Sequence, residues 1–221
     1  MGAKTAQRLH ALGIRPVDDI RRDPEAVARL LGKQGRWIAQ LAFGVDDRRV
    51  VPYRPEDAKS ISREITFQED AEDAAFLDDV LFLLSLCVER RVKRAGLHGD
   101  GVTLKVTYGD MRSISRSRRT DTRDSVMAIY EEAAGMLEKV ERRPVRLLGV
   151  GLYHLSGEAG RQLTIAEMME GPREAALRTR LDQLEQRYRL DFAGHLEQLC
   201  HGETLRKTVE YMRRHAPKEG R

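Results

Sequence analysis

Long apolar runs are missing from this chain. The longest, Val80-Leu81-Phe82-Leu83-Leu84, falls far short of the about 18 residues a membrane span requires, and the first residues lack the apolar core of a secretory signal. A cytoplasmic protein is expected. Cysteine is equally scarce. Cys87 sits in an apolar helical run and Cys200 beside His201, so the 2 cysteines make neither a disulfide framework nor a four-ligand zinc pattern, and both read as free thiols. No Walker loop, nucleophile elbow or dinucleotide fingerprint is present, which leaves the common nucleotide and acyl-transfer chemistries without a carrier. What the chain does have is 41% apolar and 33% charged residues over 221 positions, enough for one or two cores. Net charge is +4, and the positive charge clusters: Arg112 to Arg123 holds five arginines against the single acid Asp121. An anionic partner such as nucleic acid fits that cluster.

Periodicity divides the chain. From Lys4 to about Gly44 it is helical, punctuated by Gly13, Gly32, Gly35 and Gly44, with Asp23-Pro24 as a helix start. This predicts a small all-helical domain over 1–47, opened by the hairpin-like Gly2-Ala3-Lys4-Thr5-Ala6, with no element ahead of it for the hairpin to join. Residues 48–58, charged and carrying Pro52 and Pro55, read as a linker. Over 59–155 the pattern predicts a strand (59–67), a long helix (69–94), a strand (102–108), a hairpin at Gly109-Asp110 into a strand (111–120), a helix (123–139) and a last strand (144–153). That is the β-α-β-β-α-β order of a ferredoxin-like domain, so the fold class is α+β. Residues 156–221 form a charged tail, helical or partly disordered, too sparse in apolar residues to promise a core of its own.

Helices on one face of such a sheet leave the other free. Ser62 and Arg63, Thr103, Lys105 and Thr107, and Ser113, Ser115, Arg116, Ser117 and Arg118 combine small hydroxyls with basic groups, the types that approach phosphate oxygens closely and pair with them. Alternation fails along 111–120, where Ile114 shares parity with Arg112, Arg116 and Arg118, so a bulge or twisted edge is expected there. In the helical domain, Gly2-Ala3-Lys4 and Gly32-Lys33-Gln34-Gly35-Arg36 place glycine and a base at helix N-termini, where free amides favour phosphate. Two such turns resemble helix-hairpin-helix modules. The pairs Asp18-Asp19, Asp46-Asp47 and Asp78-Asp79 point about 100° apart on a helix and read as solvated or capping acids. His195, Cys200 and His201 lack a fourth ligand at sensible spacing and read as surface residues.

Taken in order, GAKTAQRLHALGI, LLGKQGRWIAQLAFGVDD, KSISREITF, GVTLKVTYGDMRSISRSRRT and RPVRLLGVGLYHL resemble the thumb and little-finger regions of Y-family translesion DNA polymerases, the polymerase IV-like branch. The resemblance spans about Gly2 to Leu155 and implies a helix-hairpin-helix thumb followed by a ferredoxin-like little finger, both gripping primer-template DNA. It implies that palm and fingers precede this point. The palm holds the carboxylates that bind magnesium, so this stretch alone needs no cofactor and is expected to be inactive as a nucleotidyltransferase. Carried over by motif, Ser62, Arg63, Thr103, Lys105, Ser115, Arg116 and Ser117 contact template or primer phosphates, with Lys4, Lys33 and Arg36 serving the thumb. Gln162, Leu163 and Ile165 lie where family members carry a sliding-clamp peptide, although Ala166 replaces the usual aromatic. Two other readings are a stand-alone accessory or interaction protein and an RNA-binding module. The second is weakened because the free-face positions are Thr, Lys, Ser and Arg, with no exposed aromatic for stacking.

Overall fold

The computed structural model describes residues 2–52, 54–119, 125–157, 170–192 and 195–215. The chain divides into two compact units, Met1–Tyr53 and Arg54–Arg221. In the first, α1 (Ala3–His10), α2 (Val17–Arg22), α3 (Pro24–Leu31) and α4 (Lys33–Ala42) enclose Leu9, Ile14, Ile20, Val27, Ala39 and Ala42. Asp23 starts α3 by accepting a 2.8 Å hydrogen bond from the Ala26 amide, with Pro24 at the first helical position. Gly32, at φ +61°, is the single residue between α3 and α4 and takes the left-handed conformation that such a tight reversal requires. Gly35 lets the two helices touch: a Cβ there would lie 2.8 Å from the Val27 carbonyl carbon and 2.9 Å from the Ala28 Cα.

The second unit contains β1 (Ser60–Ala71), α5 (Ala74–Arg94), the two-residue β2 (Leu97–His98), β3 (Gly101–Tyr108), β4 (Ser113–Arg119), α6 (Val126–Leu137), β5 (Val145–Tyr153) and the two-residue β6 (Ser156–Gly157). Leaving aside the short β2–β6 pair, this is the predicted β-α-β-β-α-β order. The four-stranded antiparallel sheet runs β1-β5-β3-β4. Its first and third long strands are therefore at the edges and its second and fourth at the centre. A ferredoxin sheet has the opposite arrangement, first and third inside, so this sheet is the ferredoxin order reversed. Strand β1 is longer than its sequence pattern indicates. It runs on through Gln68, Glu69 and Asp70 after a register irregularity between Thr66 and Ala71, and α5 starts only at Ala74, capped by Asp73.

The tail is helical over 170–188, 196–199 and 202–215. Helices α7 (Glu170–Tyr188), α8 (Leu196–Leu199) and α9 (Gly202–His215) bury Leu181, Leu184, Tyr188, Phe192, Leu205 and Met212 in the same core as the sheet and its helices. The tail needs no core of its own because it completes this one. Helix α5 is apolar around its circumference, with Val80 to Val88 all buried, since it lies between the sheet and this added layer. Asp79, expected to be solvated, is fully buried. It accepts hydrogen bonds from Arg187 at 2.6 Å, Tyr188 at 2.8 Å and Arg180 at 3.0 Å. Asp78 accepts from Arg180 and, at 2.7 Å, from Tyr130 of α6. Burial and these carboxylates push the Tyr130 and Tyr188 phenols above their ordinary pKa. Among the described residues no helix is long and apolar enough to cross a membrane.

Candidate nucleic-acid interface

Strand register decides which side chains share the free face. Ile61, Leu152 and Val102 form one buried row, Val150 and Leu104 another, and Ile65, Leu148 and Val106 a third, all under the helices. The alternate rows face away from the helices: Ser62–Gly151–Thr103–Ser117, then Glu64–Gly149–Lys105–Ser115. Five expected contact residues, Ser62, Thr103, Lys105, Ser115 and Ser117, are thus brought together. The Ser117 hydroxyl donates to Thr103 Oγ1 at 2.9 Å, and Thr103 in turn donates to the Arg116 carbonyl at 3.1 Å.

Two expected residues fall on the other side. Arg63 shares the row of Val150 and Leu104, and its guanidinium donates to the Cys200 carbonyl at 2.9 Å, so it holds the tail instead of facing outward with Ser62. Arg116 belongs to that same row at the β4 edge, where it stays exposed because no strand lies beyond it. Arg118 likewise points toward α6, 3.5 Å from Glu132. The cause is simple: neighbours in a strand alternate, so Ser62 with Arg63, or Ser115 with Arg116, cannot both serve one face. The β3–β4 pairing is unbroken from Gly101↔Arg119 to Thr107↔Ser113, so the expected bulge is absent from that ladder.

Three features of the face escaped the sequence reading. Glu64 stands on it and pairs with Lys105 at 2.8 Å, which offsets the one lysine there. Gly149 and Gly151 form its centre, and a Cβ on Gly151 would sit 2.9 Å from Ser62 Cβ and 3.0 Å from Thr103 Cγ2. A glycine at alternate positions of the last strand, in Leu148-Gly149-Val150-Gly151-Leu152, was the available signal for a flat, low centre. At one end the expectation of a face without aromatics is corrected: the partly exposed Tyr153 ring lies across Gly101 on the same face, next to His154. There Asp100 pairs with Arg119 and His154, and the Arg119 guanidinium, more than His154, holds its carboxyl below the usual range.

In the first unit Lys4 is exposed in the first turn of α1, and Lys33 and Arg36 are exposed one turn apart on α4. Gly35 beside them serves the α3–α4 contact. Gln162, Leu163 and Ile165 lie outside the described residues.

Comparison with known proteins gives this surface a context. Residues 58–165 match the model of the impB/mucB/samB family C-terminal domain. DNA polymerase IV of Clostridium kluyveri is 31% identical over 189 residues, covering 84% of this chain and 47% of that protein. DNA polymerase IV of Alkalilimnicola ehrlichii is 36% identical over 171 residues, covering 75% and 48%. The chain thus spans about half the length of the curated relatives it matches. A solved Y-family DNA polymerase chimera shares the fold at a TM-score of 0.50 and 21% identity, over 72% of this chain and 46% of that one. Residues 58–165, just under half of the chain, are thus similar to the impB/mucB/samB family C-terminal domain, and the likeness to DNA polymerase IV proteins extends over most of the chain.

Proposed function

We propose that the chain is the DNA-binding, non-catalytic portion of a lesion-bypass DNA polymerase, with the first unit as thumb and the sheet of the second as little finger, gripping primer-template duplex through its phosphates. The observation that carries this reading is the free sheet face. Around the side-chain-free Gly151 it is lined by the hydroxyls of Ser62, Thr103 and Ser117, so a sugar-phosphate backbone can approach donors closely there, while in the next row, which ends at Ser115, the Glu64–Lys105 pair flanks Gly149 and Lys105 must exchange Glu64 for a phosphate. Arg112, Arg116 and Arg119 along and beside β4 supply long-range attraction at its rim. Lys4, Lys33 and Arg36 play the matching part at the helix starts of the thumb, where the α3–Gly32–α4 turn supports a helix-hairpin-helix reading. The sliding clamp is a second partner in this reading, through Gln162, Leu163 and Ile165, and DNA as the main partner puts the protein in the cytoplasm.

Magnesium is part of the whole polymerase in this reading, but the carboxylates here do not fit it. Asp78 and Asp79 are taken by Arg180, Arg187 and two tyrosines, Asp46 by Arg48, and Asp18 and Asp19 by Arg22. No catalytic step is assigned to them. The test is titration of labelled primer-template duplex at several salt concentrations, with primer extension in magnesium and four nucleotides alongside. Binding that weakens steeply with salt, without extension, supports the proposal. Salt-independent binding, or extension abolished by a point substitution within residues 1–221, overturns it.

A further inference from the structure

Cys87 and Cys200 are far apart in sequence yet meet in the fold. Cys87 is buried in the middle of α5, and its thiol is hydrogen-bonded to that of Cys200, in the turn between α8 and α9. Cys200 is partly exposed and packs on the core cluster that includes Cys87. Its backbone is held by Arg63, which donates to the Cys200 carbonyl at 2.9 Å and lies so close to Gly202 that an added Cβ there would be 3.4 Å from the guanidinium. The two sulfurs are therefore presented to one another by elements fixed from both sides, one sulfur reachable from solvent and the other not.

We propose that Cys87 and Cys200 form a redox-controlled crosslink that fastens the C-terminal helical layer to the sheet domain, with a peroxide as the oxidant. Cys87 is buried and Cys200 partly exposed, so Cys200 is the sulfur that meets the oxidant, while burial and the hydrogen bond to Cys200 keep the proton on Cys87. Its thiolate attacks the O–O bond, an S–O bond forms, and hydroxide leaves and takes up a proton to become water, giving the sulfenic acid. Cys87 then attacks the Cys200 sulfur. The S–S bond forms, the S–O bond breaks, and the departing hydroxide takes the Cys87 proton as a second water. Two thiols lose two electrons and two protons, and the peroxide is reduced to two waters. The positive charges of Arg63 and Arg90 favour the Cys87 thiolate in the second step.

The experiment treats the reduced full chain with hydrogen peroxide and follows intact mass, non-reducing peptide maps and melting. The expected result is loss of two hydrogens, a linked Cys87–Cys200 peptide, and a rise in Tm of the second unit by roughly 10 °C, because a loop of about 110 residues is closed. Dithiothreitol reverses all three. Cys200→Ser, at a partly exposed position, folds and shows no rise; Cys87→Ala gives the same absence of a rise from the other side of the pair. Addition of two oxygens to Cys200 with Cys87 still a thiol, a Cys200–Cys200 dimer, or a linked peptide with no change in Tm each overturns the proposal.

Discussion

Replacing Asp79 by asparagine removes the charge at the centre of the contact between α5 and the C-terminal layer. Asp79 has no exposed surface and accepts three hydrogen bonds, from Arg180, Arg187 and Tyr188. Breaking a buried pair by removing one partner typically costs about 3–5 kcal/mol, since the other charge is left uncompensated. Here the remaining cations are not stranded. Arg187 is 38% exposed and can rehydrate, while Arg180, at 17%, keeps Asp78. The asparagine amide turns one donor toward these donors, which keeps the loss from falling below that range. The loss therefore falls near the lower end, about 3 kcal/mol, and lowers the Tm of the second unit by roughly 6–12 °C for a domain of this size. Calorimetry reads it directly, as the transition of the second unit with that of the first as internal control. Hydrogen exchange should place the largest loss of protection in α7. A double-mutant cycle with Arg187→Met isolates the pair: the two substitutions should be strongly non-additive. A loss below about 1 kcal/mol, the value of an exposed pair, or additivity in the cycle, would refute the reasoning.

Three further outcomes follow from particular residues. Asp100 has its pKa lowered by Arg119 and His154, so its contribution to stability is complete above the unfolded-state value of about 4 and is lost as pH falls through the depressed folded value; Asp100→Asn should therefore lower stability at neutral pH and converge with the parent chain in acid, flattening the acid limb of a stability-versus-pH curve. Gly35→Ala pushes a methyl group against the Val27 and Ala28 backbone, which cannot swing aside, and should destabilise the first unit by about 3 kcal/mol while the melting of the second is unchanged. For duplex binding, Ser117→Glu on the free face should weaken affinity more than Arg116→Glu at the rim, and that more than Arg116→Ala, whose salt slope should fall by about one unit at most; Tm should stay put for both Arg116 variants, since that side chain is exposed.

The sequence patterns that proved readable were those with one wet and one dry side. Val102-Leu104-Val106 against Thr103-Lys105 has a clear period of two, and β3 is oriented as that period requires, although Thr107 at its end is buried. Strand β4 is an edge strand, exposed on both faces except at Ile114, so polarity carried no facing information and only its pairing with β3 fixes Arg116. The strand order was not readable, because two helical crossovers connect the strands equally well in the ferredoxin order and its reverse. The late end of β1 is polar, Gln68-Glu69-Asp70, and is held by Arg146 and Arg213, partners 76 and 143 residues away from Asp70, a separation at which no local pattern operates. The docked tail did leave a trace. Phe76 to Val88 is apolar on more of its circumference than one sheet can cover, which calls for a second covering layer. Arg180 and Arg187 carry no local signal of their role, because their partner Asp79 is distant in sequence and buried.

The central claim is that the free sheet face meets the DNA. Amide NMR of the chain, titrated with primer-template duplex at low and high salt, tests it most directly. The account predicts that the largest shifts fall on Ser62, Thr103, Lys105, Ser115, Gly149, Gly151 and Ser117, and fade together as salt rises. Shifts confined to α7 and α9, with those seven amides unmoved at saturating duplex, would contradict it.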